Sequence, residues 1–444
     1  MKVNPTSILA LLCIVLFSSS LIAFQSKSQN PFEGTNPWPE IRRERIQKLL
    51  PGAMKSAGVD SWIVICREND NDPLALHVGG ENAGGSAAFL FFLKDGKVKS
   101  IAISPEGEAK ALQDLHLHDE VLIIERGSDV WRHIEGQLKK YGAKTIAINS
   151  SDYTIADGLS FTQRTNLEKA LGAELASRLV PSVDLVTEWL AVKLPMEIAI
   201  LKKAAEITDQ LEREAYRAVV PGRTRDLDVA LFIKKRMKEL GVTDGWAPDQ
   251  NPNVNSGPDR GHSNATEKVI LPGDVIQIDF GIKVFDVWIS DIQRFAYVLK
   301  SGETEAPADI KRYFANAVAG HRKVLAAMKP GVTGYDVDKV QRDWMKDSGS
   351  LPVMWGTGHP VGYWAHDAGP SLSGGTKPKR PESGTAAKIL KPGHVFAYDG
   401  FFSWKLDNNE IKTISVEEMA VVTENGAEYL SEPQKDLILI QSGK

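Results

Sequence analysis

Two pairs of β-prone runs that end on acids constrain this chain more than any other feature. Val275-Ile276-Gln277-Ile278-Asp279-Phe280-Gly281 and Val287-Trp288-Ile289-Ser290-Asp291 read as the arms of one hairpin. With its turn centred on Phe285, Asp279 falls directly opposite Asp291. Val395-Phe396-Ala397-Tyr398-Asp399 and Ile414-Ser415-Val416-Glu417 flank the turn-forming Leu406-Asp407-Asn408-Asn409. Centring that hairpin on Asn408 sets Asp399 opposite Glu417. Like charges that face each other on a sheet destabilise it. Such acids therefore point into solvent, share a proton or enclose a cation, and a divalent ion is the solution that keeps all four ionised at neutral pH.

Histidine strengthens the cation reading. His359, in Gly358-His359-Pro360-Val361-Gly362, lies between the two acidic hairpins, and His366-Asp367 follows. A lone histidine between glycines is ordinarily a turn residue, but the glycines permit close backbone approach and imidazole completes an oxygen-rich site. His262, in the polar loop Gly245–Thr266, reads on spacing alone as a surface residue. His116 and His118 read as solvated, and His77, His133, His321 and His394 carry no pattern.

A chain of 444 residues suggests two or three domains. Its 42% hydrophobic and 25% charged residues are those of a globular protein, and a net charge of −4 argues against a nucleic-acid partner. From Trp38 to about Val183, helix and strand alternate. A helix over Glu40–Ser56, strands at Ser61–Cys66, Ala87–Leu93, Val98–Ile103, Glu120–Ile124 and Lys144–Ile148, and a helix over Asp129–Tyr141 predict an α/β domain. Pro195 forces Leu194 out of helical geometry, so Glu188–Pro195 reads as a hinge. Beyond it come helices at Met196–Val220, Asp226–Leu240, Asp309–Met328 and Tyr335–Asp347 beside runs of strand, an α+β pattern.

At the N-terminus, Lys2, the apolar run Ile8–Phe17 and the small residues Ser18-Ser19-Ser20 predict a secretory signal over residues 1–29. The protein is then expected to be secreted or periplasmic, with no stable membrane insertion after cleavage; an uncleaved anchor helix is the alternative. Outside the signal only Cys66 remains, a strand-core residue with no partner for a disulfide.

The order Asp279, Asp291, His359, Asp399, Glu417 resembles the five-ligand site of the creatinase/aminopeptidase P/prolidase/methionine aminopeptidase superfamily, peptidase family M24. Pro272-Gly273-Asp274 before Ile278-Asp279-Phe280-Gly281, Ser290-Asp291-Ile292-Gln293-Arg294, the His359 motif with His366-Asp367, Leu390-Lys391-Pro392-Gly393-His394-Val395-Phe396, and Glu417 with Val422-Thr423-Glu424-Asn425-Gly426 all resemble that family's motifs. Lys193-Leu194-Pro195-Met196-Glu197-Ile198 with Lys202-Lys203-Ala204 looks like the first helix of its catalytic domain.

The resemblance implies an α+β protein with a pita-bread catalytic domain over 186–444 behind a creatinase-type α/β domain over 36–185. It implies two divalent ions, one on Asp291, His359 and Glu417, the other on Asp279, Asp291, Asp399 and Glu417. This donor set suits Mn(II), with Zn, Co or Fe as substitutes. It further implies that His262 and His366 contact the substrate and that the residue at Asp399 accepts a proton. The expected reaction is hydrolysis of the bond between an N-terminal residue and proline in a small peptide, by an Xaa-Pro aminopeptidase or dipeptidase. Relatives are often dimers or tetramers, so a homo-oligomer is compatible with it. Departures from the family pattern keep two rivals open, a weakly active or non-catalytic peptide-binding protein and a creatinase-like C–N hydrolase. The fourth ligand, normally glutamate, is Asp399, followed by Gly400 instead of proline; Asp279 and Asp291 stand one residue further apart than in many members. Ser415 replaces a frequent arginine, Trp288 a common tyrosine, and Trp355 a position often held by histidine.

Overall fold

The computed structural model describes residues 30–69 and 72–442. The expected signal over 1–29 lies outside the described residues. Among the described residues, no helix is long and apolar enough to cross a membrane.

The N-terminal part opens with α1 (Trp38–Glu44), one π-helical turn (Arg45–Leu49) and α2 (Leu50–Ser56), which bury Trp38, Ile41, Ile46, Leu50 and Met54. A mixed six-stranded sheet follows, built from β1 (Ser61–Arg67), β2 (Ser86–Lys94), β3 (Lys97–Pro105), β4 (Glu120–Ile124), β5 (Ile146–Ile148) and β6 (Leu179–Pro181) in the order β4-β3-β2-β1-β5-β6. Asp95 and Gly96 both take positive φ, 50° and 74°, the geometry that a two-residue hairpin turn demands. Helices α3 (Ala75–Val78), α4 (Glu106–Asp114), α5 (Val130–Tyr141) and α6 (Phe161–Ala176) complete this part. Asp129 caps α5 by accepting from the Trp131 amide. Helix α6 is not among the expected elements; its signal is the four-residue spacing of Leu167, Leu171 and Leu175, all buried against the sheet.

Period-2 alternation divides the sheet's two faces. Ile63, Ile65, Leu90 and Phe92 pack against α5 and α6, whereas Trp62, Val64, Cys66, Phe89 and Phe91 enter a core that continues into the C-terminal part. Cys66 is fully buried, as expected of a strand residue. His118 is not solvated: its Nε2 lies 2.8 Å from the Val78 carbonyl and its ring packs on Phe89 and Phe91.

The expected hinge is a packed corner. Glu188–Ala191 complete α7 (Val183–Ala191), and only Val192, Lys193 and Leu194 leave helical geometry before α8 (Pro195–Ala218), with Pro195 in its first turn. Lys193 is buried, and its amide donates to the Gly393 carbonyl at 2.8 Å.

The C-terminal part contains α9 (Asp226–Leu240), α10 (Ala308–Ala327), α11 (Gly334–Ser348) and two sheets. Its strands are β7 (Thr243–Asp244), β8 (Asn253–Ser256), β9 (Val275–Phe280), β10 (Ile282–Val284), β11 (Trp288–Ile289), β12 (Ile292–Val298), β13 (Gly358–Pro360), β14 (Val395–Lys405), β15 (Ile411–Thr423), β16 (Gly426–Tyr429) and β17 (Ile438–Ile440). Eight of them form one sheet, ordered β13-β14-β15-β12-β9-β8, with β16 on β15 and β17 on β12; β11-β10-β7 form a small second sheet. Ile276, Ile278 and Phe280 of β9 share a core with Leu201 and Leu211 of α8, so the alternate residues Gln277 and Asp279 face away from that helix.

Candidate metal centre

The second acidic hairpin has the expected register, with Asp399 paired to Glu417. The first differs. Val284 pairs with Trp288, and Phe285 and Asp286 take positive φ in the turn, so Asp279 stands opposite Gln293 instead of Asp291. The ladder is shifted by two residues, which preserves the side-chain face because the pleat has period two. Asp291 therefore still shares a face with Asp279, one diagonal step away. Gly281 marks where the chain leaves the large sheet: a Cβ there would stand 2.0 Å from the Ser290 carbonyl oxygen.

Cross-strand pairing lines up Asn253, Asp279, Gln293, Glu417 and Asp399 in one row across five strands. Asp291 lies two residues before Gln293, and His359 pairs with Ala397, two residues before Asp399. All these side chains share the face turned away from α8. His359 Nε2 stands 3.8 Å from both Asp291 Oδ2 and Glu417 Oε1. Donor atoms of Asp291, His359 and Glu417 lie within 4.8 Å of one another. Asp279, Asp291, Asp399 and Glu417 are only 3–6% exposed. They floor a cavity of about 600 Å³ whose walls include Trp246, Gln250, His262, Trp355, His366 and Ser373.

Burial, and then Glu417, push the Asp291 and Asp399 carboxyls well above the usual carboxylate range. Glu417 rises to about 8 through burial and then Asp279. His359 is driven down to about 3 by burial and by His366, so it is a neutral imidazole with a free lone pair. Asp399 Oδ1 is buried without a hydrogen-bond partner. Four buried carboxylates, one neutral imidazole and an orphaned carboxylate oxygen are a donor set that fits hard or borderline divalent cations.

Glu418, the next residue along β15, shows what alternation does to an acid on the other face. Arg294 Nη1 and Nη2 donate to its two oxygens at 2.9 Å each. Among the described residues, no arginine lines the cup.

His262 Nδ1 lies 3.2 Å from Asp279 Oδ2, a contact that raises its pKa. The His366 ring stands edge-on to His359 at 4.3 Å. Both histidines therefore sit at the cavity, where the resemblance put them and spacing alone did not. Trp288 is fully buried and donates to Glu197 at 3.2 Å, so it has no place in the cavity; Trp355 does, half exposed at its mouth. Gly400 has a steric reason, since a Cβ there would meet the Ala317 carbonyl of α10 at 2.2 Å.

Sequence reasoning missed the groups that orient Glu417. Gln293 Nε2 donates to Glu417 Oε2 at 2.7 Å, and Gln293 Oε1 accepts from Ser415 Oγ at 2.8 Å and Gln277 Nε2 at 2.6 Å. Their signal was in plain view: each lies two residues along the chain from an acid of the cup, and so on the same face.

The family model for metallopeptidase family M24 matches residues 199–424, about half of the chain. That span contains every residue of the acidic row and all three cavity histidines. The chain therefore belongs to metallopeptidase family M24. It is 26% identical over 259 residues to the Xaa-Pro dipeptidase of Pyrococcus furiosus, covering 57% of this chain and 67% of that one. Its fold matches the solved Xaa-Pro dipeptidase from Bacillus anthracis, at a TM-score of 0.66 and 21% identity, over 90% of this chain and 100% of that one. It also matches the X-Pro aminopeptidase from Thermotoga maritima, at a TM-score of 0.65 and 21% identity, over 88% and 100%. The fold is the expected α+β architecture, a pita-bread domain preceded by an α/β domain.

Proposed function

We propose that this metallopeptidase hydrolyses the amide bond between an N-terminal residue and a following proline, using two divalent ions, with Mn(II) the best match to the donors. Asp291, His359 and Glu417 would hold one ion, and Asp279, Asp291, Asp399 and Glu417 the other. Bound there, the ions supply Lewis-acid polarisation of the scissile carbonyl and activation of water. The chain's own groups do the rest. Gln293 fixes the direction of Glu417 through the bond at 2.7 Å. His262, paired with Asp279, brings a proton donor to the mouth of the cup, and His366, kept neutral by partial desolvation and by His262, can accept or return one. Trp246 and Trp355 wall the cavity and limit its water. Asp399 is the proton-accepting carboxylate of this reading.

The observation that carries the proposal is the convergence of Asp291, His359 and Glu417 within 4.8 Å on the floor of an acidic cavity. Names of similar proteins cover both Xaa-Pro dipeptidases and X-Pro aminopeptidases, which supports the proline-directed reaction class. The test is hydrolysis of Xaa-Pro peptides by Mn(II)-loaded protein with and without chelator. Cleavage that needs the ion supports the reading; bound ion without cleavage of any Xaa-Pro peptide replaces it with peptide binding alone. We also propose that residues 1–29 export the protein, so that it works as a secreted or periplasmic enzyme; fractionation of cells making the full chain tests this. A homo-oligomer fits this reading and is tested by sizing the purified chain.

A further inference from the structure

The walls of the cavity carry an imbalance that bears on substrate length. Among the described residues that line it, none is lysine or arginine. The four carboxylates of the floor equal the charge of two divalent ions, so two ions bound there would leave no surplus positive charge of their own. His262 Nδ1 is already engaged by Asp279 Oδ2 at 3.2 Å. Ser415 and Gln277 turn their hydrogen-bonding groups to Gln293. An Xaa-Pro dipeptide would bring its own carboxylate within one residue, about 3.5 Å of chain, of the bond that breaks. There the carboxylate would shed water without gaining a counter-charge, an unfavourable transfer. A peptide that continues past proline presents a neutral amide at the same place.

The mouth offers that continuing chain a surface. Trp355 lines the cavity and remains 47% exposed, and its neighbour Met354 is 95% exposed. Two adjacent large apolar side chains held out to water call for an explanation. The segment is not loose: Arg342 donates to the Val353 carbonyl at 2.9 Å and to the Trp355 carbonyl, and the Trp355 ring packs edge-on against Phe401. Arg342 is in turn held by Asp338 at 3.0 Å. A fixed apolar shelf thus runs outward from the floor where the amide would be cut.

Resting on the Xaa-Pro reading above, we infer that the substrate is a peptide longer than two residues, whose part beyond proline lies on the Met354–Trp355 shelf. The experiment compares kcat/KM of the Mn(II)-loaded full chain on Ala-Pro, Ala-Pro-NH2 and Ala-Pro-Ala-Ala. The amide and the tetrapeptide are expected to exceed the free dipeptide by at least about tenfold. Equal or faster cleavage of the free dipeptide overturns the inference and leaves the Xaa-Pro reading intact. Cleavage of none of the three overturns both. Met354→Ser with Trp355→Ala should lower the ratio of tetrapeptide to amide by about fivefold. An unchanged ratio accompanied by a smaller particle on sizing would assign the shelf to a second copy of the chain and overturn the subsite.

Discussion

Two of the buried charge clusters among the described residues are resolved in opposite ways. At the corner between the two parts, Arg45 of the π-helical turn donates to Glu197 at 2.7 Å, and Lys193 to Asp367 at 3.0 Å. Glu197 also accepts from the Leu194 amide at 2.9 Å and from Trp288 and the Tyr363 hydroxyl. Two cations meet two acids. Although burial pushes Glu197 up, Arg45 and Lys193 bring it below the usual carboxylate range. In the cup, four deeply buried acids crowd one another around a neutral imidazole, with His262 on Asp279 and the Gln293 amide on Glu417 as hydrogen-bonding neighbours, and burial drives Asp291 and Asp399 up. The corner completes its electrostatics within the chain, while the cup leaves its charge for something outside the chain to balance. The corner also serves the cup, because Asp367 adjoins His366 and accepts from the Tyr363 amide at 2.9 Å.

The largest expected effect tests the cup's dependence on ions. Chelation should lower Xaa-Pro hydrolysis by about 10³-fold or more, and Mn(II) should restore it together with a higher melting temperature. Activity and melting temperature that both ignore chelator would mean that the cup balances itself, and the contrast with the corner would vanish.

Next in size is the corner itself. Glu197→Gln leaves the Arg45 guanidinium, fully buried, without its counter-charge. The expected loss is about 3–5 kcal/mol of unfolding free energy, read from denaturant melts of the metal-free protein. A loss under about 1 kcal/mol would show that the carbonyls of Val192 and Trp189, which also accept from Arg45, suffice to hold it.

The same kind of substitution in the cup should have the opposite sign. Asp291→Asn removes one of four like charges, so the metal-free protein should gain about 1–4 kcal/mol while losing its ion and its activity. Destabilisation of the metal-free variant would show that this carboxylate already has a partner inside the chain.

These two regions also differ in how far they could be read from the amino-acid order. The cup was legible because hairpins are local: the Asn408 turn set Asp399 against Glu417, and even a two-residue error in the first hairpin left Asp279 and Asp291 on one face. The helix over 226–240 and the strand over 120–124 were legible for the same reason, through local periodicity and caps. The corner was not. Arg45 and Glu197 are 152 positions apart and Lys193 and Asp367 are 174 apart, with no pattern linking them, so Glu188–Pro195 read as a hinge until packing showed it filled. Gln293 was overlooked because amides carry no charge, although its place in the row follows from the same alternation as Asp291.

The smallest expected effect sharpens the cup from within. Among the described residues, Asp291, His359 and Glu417 are the set already gathered for an ion, and neither Asp279 nor Asp399 belongs to it. The first ion site is thus gathered already, and a second site that includes Asp399 depends on how far its carboxylate reaches. The backbone there cannot yield, because α10 backs directly against Gly400 and the Asp399 amide is tied to the Thr357 carbonyl at 2.7 Å. Reach must then come from the side chain, and aspartate is one methylene short of the glutamate usual at this position. Asp399→Glu should tighten the second Mn(II), seen as a sharper approach to two ions per chain in a binding titration, and raise kcat/KM by up to about tenfold. A second ion no tighter than before, with an unchanged or lower rate, would show that the cup is built around aspartate, and that its unpartnered oxygen faces the ion at the right distance as it stands.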